Sequence, residues 1–153
     1  MKYLVDGDAR SAGVIQVLGM STSTSPIKGP GEGKAVVIID DNAAVRKTVG
    51  HAFLEDGFRF YGEAENGAQG IEVVKQLKPD LAIIDLSMPI MNGLQAALIL
   101  RRLFPNMPII LFSLYGNGTV KAEATRAGID AVVSKDEDIP VLIGKAHELL
   151  HIA

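Results

Sequence analysis

From Ala35 onward, this chain of 153 residues alternates five times between short apolar runs and segments of helical period, and few folds satisfy that alternation. The runs are AVVII (35–39), FRFYGEA (58–64), LAII (81–84), PIILF (108–112) and AVVS (131–134). Between them, Val45, Val49 and Phe53 recur four apart and Ile71, Val74 and Leu77 three apart, while Leu94 and Leu98 share a helical face. After the last run, Leu142, Ala146 and Leu149 repeat the pattern. The stretch from Val120 to Ala127 is the weakest helix, short and built mostly of Ala, Lys, Glu and Thr. Repeated strand–helix units predict a parallel sheet with helices on both faces. VVII, LAII and PIILF are apolar at every position, as strands covered on both sides must be. Arg59 and Glu63 interrupt the second run and the fifth is short, so these two belong at the edges. The expected architecture is α/β, a flavodoxin-like (βα)5 doubly wound sheet with strand order 2-1-3-4-5.

Ahead of Ala35 the composition changes. MSTSTSPIKGPGEGK (Met20 to Lys34) reads as a flexible linker. Met1 to Gly19 has no sustained period and is open to three readings: a stray strand, a partner-binding arm, or sequence translated from an early start codon. Residues 1–33 are therefore expected to be a flexible tail and 34–153 the folded domain. The length suits one domain with a proper core. The net charge of -3 supplies no basic footprint for nucleic acid. With no cysteine, a disulfide scaffold, a thiolate metal site and a cysteine nucleophile are all excluded. No apolar run reaches the length of a membrane span, and AGVIQVLGM (12–20) follows an acidic stretch, which makes a poor signal peptide. A cytoplasmic location is the default expectation.

Open parallel sheets gather function at the carboxyl ends of their strands. Here those ends carry Asp40 and Asp41, Asp85, Ser113 and Lys135, each directly after its apolar run. Alone, each has an ordinary structural use: Asp41 or Asn42 caps the helix beginning near Ala43, Ser113 is a turn residue and Lys135 a solvated lysine. It is their agreement across strand ends that favours a site. Three converging carboxylates repel one another unless a cation neutralises them. An all-oxygen set without His or Cys favours a hard ion, and Mg²⁺ also suits phosphoryl transfer. A carboxylate beside Mg²⁺ can attack a phosphoryl group and form an aspartyl phosphate, with an ammonium and a hydroxyl neutralising the equatorial oxygens.

The strings IIDD (38–41), AIIDLSMPIMNG (82–93), IILFS (109–113) and AVVSK (131–135) resemble the response-regulator receiver family of two-component signalling, from Ala35 to about Leu150. That resemblance implies that Asp85 is the phosphoacceptor, that Asp40, Asp41, Asp85 and the backbone carbonyl of Ser87 hold Mg²⁺, and that Ser113 and Lys135 contact the phosphoryl oxygens. It further implies a signalling domain rather than an enzyme, apart from its own autophosphorylation and autodephosphorylation. The phosphodonor would be a sensor histidine kinase or a histidine phosphotransfer protein, and the output a contact with a downstream protein target. Homodimerisation is left open, as are a stand-alone regulator and a fragment of a longer DNA-binding regulator of the LuxR type. Pro89 and Gly93 shape the loop after the third run.

Three positions depart from the family pattern. Asp136 follows Lys135 where proline is usual, which predicts a trans peptide. Val132 replaces the usual aromatic switch residue, and Leu114 a small residue. Tyr115 has two readings, a lid at the site mouth or an exposed loop aromatic. His51, His147 and His151 lie on predicted helices away from the rim and read as surface residues. A Walker loop in GPGEGKA (29–35) fails because Lys28 stands where glycine is needed and Ala35 where the hydroxyl is needed. A dehalogenase-type phosphatase needs a second Asp two residues past the nucleophile, where Ser87 stands. A degenerate receiver that only binds a partner is opposed by the complete Asp, Asp, Asp, Ser and Lys set.

Overall fold

The computed structural model describes residues 14–16, 33–114 and 118–152. Its elements in chain order are β1 (Val14–Gln16), β2 (Ala35–Ile39), α1 (Ala43–Glu55), β3 (Phe60–Ala64), α2 (Gly67–Leu77), β4 (Leu81–Ile84), α3 (Gly93–Leu103), β5 (Ile109–Ser113), α4 (Gly118–Arg126), β6 (Ala131–Ser134) and α5 (Ile139–Leu150). Strands β2 to β6 pair in parallel in the order β3-β2-β4-β5-β6, which is the predicted 2-1-3-4-5 arrangement. Among the Met1–Gly19 readings, the strand is realised in part. Val14–Gln16 pairs antiparallel outside β3, with Val14 opposite Glu63 and Gln16 opposite Tyr61.

Helices cover both faces. On one, Val49 and Phe53 of α1 and Leu142 and Ala146 of α5 pack against Val36, Ile38, Ile83 and Ile110. On the other, Ile71 and Val74 of α2, Ala97 and Leu100 of α3 and Ala124 of α4 pack against Val37, Ile39, Ile84 and Leu111. Alternate residues of one strand thus feed two cores, and each buried aliphatic side chain contributes roughly 1.5–3 kcal/mol. The expected face of α3 needs correction. Leu94 packs inward, but Leu98 is 48% exposed, and Ala96, Ala97 and Leu100 form the buried stripe. The short α4 exists and fully buries only Ala124.

Three helices begin on asparagine. The side chains of Asn42, Asn66 and Asn92 accept from the backbone N–H groups of Val45, Gln69 and Gln95, and Gln95 returns the bond to Asn92 in a capping box. These caps end each βα loop at the carboxyl end of the sheet, so the loops there are short and their side chains closely placed.

Candidate phosphoryl-acceptor site

The acidic corner is built where β2 gives way to α1. The Asp40 N–H donates to the Ala64 carbonyl at 3.0 Å, and the Asn42 N–H donates to Asp40 Oδ1 at 2.9 Å. Asp40 is therefore 2% exposed and held at both backbone and side chain, whereas Asp41 faces solvent. At the next strand, the Asp85 N–H donates to the Ile39 carbonyl at 2.8 Å, which continues the ladder one residue past β4. One carboxylate oxygen from each of Asp40, Asp41 and Asp85 lies within 4.8 Å of the others, a spacing that can hold a metal ion.

Lys135 enters this cluster from the end of β6. Its Nζ lies 2.7 Å from Asp40 Oδ2 and 3.2 Å from Asp85 Oδ1. The Lys135 N–H donates to the Ser113 carbonyl at 2.9 Å, tying the ends of β5 and β6 together. Ser113 is buried at the end of β5. Burial and the neighbouring Asp40 charge push the Asp85 carboxyl above the usual carboxylate range, and Lys135 only partly offsets them. Burial alone would lower the Lys135 ammonium, but its hydrogen bond to Asp40 and the charges of Asp40 and Asp85 reverse that and raise it. The rim thus brings together Asp40, Asp41, Asp85 and Lys135 as the strand ends predict, with Ser113 in the adjoining strand. Chemically, the cluster offers a carboxylate nucleophile, oxygen ligands for a hard cation and a fixed ammonium.

The loop from Asp85 to α3 is tightly specified. A Cβ on Gly93 would collide with the Asp85 carbonyl oxygen, so the glycine lets the helix start abut the site. The Gly93 N–H donates to the Leu86 carbonyl at 2.9 Å. Between them, Ile90 has φ of 68° and is 81% exposed, and the Met91 N–H reaches back to the Pro89 carbonyl at 2.6 Å in a γ-turn. Ser87 is exposed in the same loop. No cis peptide occurs among the described residues, so Lys135–Asp136 is trans as expected. Val132 is half-buried against the α2–α3–α4 side of the core. Tyr115 lies outside the described residues.

Sequence reasoning missed what stands behind this rim. Glu63, read as an interruption of an edge strand, is buried and paired with Arg46, whose Nε lies 2.7 Å from Glu63 Oε1. The signal available was an acid within the strand part of the second run, FYGEA, and a basic residue four past the cap of the preceding helix. Of the three histidines, His147 is more than a surface residue: its Nε2 contacts Asp56 Oδ2 at 2.7 Å, joining α5 to the end of α1. None of the three joins the Asp40, Asp41 and Asp85 cluster, as expected.

Residues 36–147 match the family described as Response regulator receiver domain. The chemotaxis protein CheY of Thermotoga maritima is 37% identical over 103 residues, 67% of this chain and 86% of that protein. The nitrate/nitrite response regulator protein NarL of Escherichia coli K12 is 33% identical over 118 residues, 76% of this chain, which spans only 55% of NarL. In three dimensions, the receiver domain of the Francisella response regulator 1452 superposes with a TM-score of 0.72 at 25% identity, covering 78% of this chain and 98% of that one. No helix among the described residues is long and apolar enough to cross a membrane. The family match covers most of the chain and the strand order agrees with it, so this chain belongs to the response-regulator receiver family, the phosphorylation-dependent signalling domain of two-component systems.

Proposed function

We propose that Asp85 accepts a phosphoryl group from the phosphohistidine of a sensor histidine kinase or a histidine phosphotransfer protein. The observation that carries this reading is Lys135 Nζ, which bridges Asp40 at 2.7 Å and Asp85 at 3.2 Å inside a cluster of three carboxylates. Transfer requires an Asp85 oxygen to attack phosphorus in line while the donor nitrogen leaves. Asp40, Asp41, Asp85 and the backbone carbonyl of Ser87 are the oxygen ligands that would hold Mg²⁺, and the set fits a hard cation because it contains no nitrogen or sulfur donor. A bound Mg²⁺ supplies charge neutralisation for the incoming phosphoryl oxygens. Lys135 adds a point charge and Ser113 a hydroxyl donor from the next two strand ends. The aspartyl phosphate then changes which protein target the domain contacts. Apart from the edge strand Val14–Gln16, residues 1–33 serve as a tail joined to the domain, and the chain works in the cytoplasm.

Incubation with Mg²⁺ and acetyl phosphate is expected to add one acid-stable, base-labile phosphoryl group. Asp85→Asn should abolish it, and labelling of that variant at the wild-type level would sink the assignment.

A further inference from the structure

The buried pair behind the rim is the strongest feature that the phosphoryl-acceptor reading does not use. Arg46 and Glu63 side chains are 11% and 10% exposed, and the guanidinium makes two directed bonds. Its Nε donates to Glu63 Oε1 at 2.7 Å and its Nη1 to the backbone carbonyl of Asp40, also at 2.7 Å. The neighbour of Glu63 in β3, Ala64, accepts the Asp40 N–H. Both backbone polar groups of Asp40 are thereby anchored to the β3 side of the molecule, one directly and one through Arg46. The Asp40 side chain is in turn tied to the Asn42 N–H at 2.9 Å. Buried ion pairs seldom add net stability over apolar residues of similar volume, because desolvation offsets the attraction. What such a pair does supply is a fixed direction, and the planar guanidinium suits two divergent acceptors as an ammonium does not.

We propose that Arg46, oriented by Glu63, is a positioning residue for the acidic corner: it sets the Asp40 peptide from behind and so aims the Asp40 and Asp41 carboxylates at their shared cation. The inference rests on the cation reading of that corner. Outer partners of this kind typically change metal affinity by 10–100-fold when removed.

The test separates placement from stability. Arg46→Met leaves the Glu63 charge buried and unpaired, so it is expected to lower both the melting temperature and Mg²⁺ affinity. The double variant Arg46→Met/Glu63→Met removes both charges and is expected to recover most of the melting temperature while still binding Mg²⁺ about 10-fold more weakly than the wild type in a calorimetric titration. Arg46→Lys, which can reach one acceptor but not hold both, should fall between. Wild-type Mg²⁺ affinity in the double variant would overturn the positioning role. A second readout needs no cation. In metal-free protein the Asn42 amide should exchange its hydrogen about 10-fold faster in the double variant, with the Ile84 amide unchanged. If the wild type takes up no Mg²⁺, the cation reading fails, and if Asn42 exchange is unaltered, the positioning role fails.

Discussion

Ile90 sits at φ of 68° with its side chain 81% exposed, so burial does not compensate the conformation. For a β-branched residue the left-handed region costs roughly 1–2 kcal/mol. Ile90→Asn is therefore expected to stabilise the protein by about 1 kcal/mol, an increase of about 3 °C in Tm by thermal melting. A lower Tm would show that Ile90 makes an interaction worth more than its strain. The strain lies five residues from Asp85, in the loop that carries Ser87, and strained backbone gathers at functional sites. At this scale the sequence was only partly legible. Asp40, Asp41, Asp85 and Lys135 could be placed because each follows an apolar run directly. Glu63 could not, since its partner Arg46 is 17 positions away and the pairing depends on how α1 lies across β3. Gly93 was read as a turn former, whereas the determinant is the close approach of the Asp85 carbonyl.

Among the elements, the strands were legible because burial on both faces keeps β2, β4 and β5 apolar up to Ser113 at the end of β5. Helix faces were less so. In α3 the small Ala96 and Ala97 let the helix lie close to the sheet, and that choice rotates Leu98 outward. The pairing of β1 was beyond reach for another reason: three residues carry no period, and the unpaired edge of β3 dictates where they add. Strand β6 bears on signalling. Val132 is half-buried where an aromatic ring is usual, and valine has one strongly preferred rotamer in many settings. Coupling from the site must then run mainly through the loops after β4 and β5. Beryllofluoride with Mg²⁺ is expected to shift amide signals of residues 86–92 and 113–118 strongly and those of 131–134 only slightly. Shifts at Val132 as large as those beside Asp85 would show that the strand switches without a ring.

For the molecule as a whole, the concentration of like charge at one rim sets the response to metal. Removing one carboxylate relieves repulsion but also removes a ligand. Asp41→Ala is therefore expected to melt about 2 °C higher than the wild type in EDTA, a fraction of a kcal/mol at this size. It should lose most of the rise in Tm that Mg²⁺ gives the wild type, which by mass action is about 2.7 kcal/mol at 100 times Kd. An undiminished Mg²⁺ response would place the cation elsewhere. The parallel arrangement has one more consequence. Because β2 to β6 are parallel and joined through helices, the five helices begin at the same edge of the sheet as the carboxylates. None of them has an acidic residue in its first turn, and the caps of α1, α2 and α3 are uncharged asparagines. Each helix end carries roughly half a positive elementary charge from its aligned peptide dipoles. That charge lies at the same edge of the sheet as the rim and partly offsets the crowding of its carboxylates before any cation arrives.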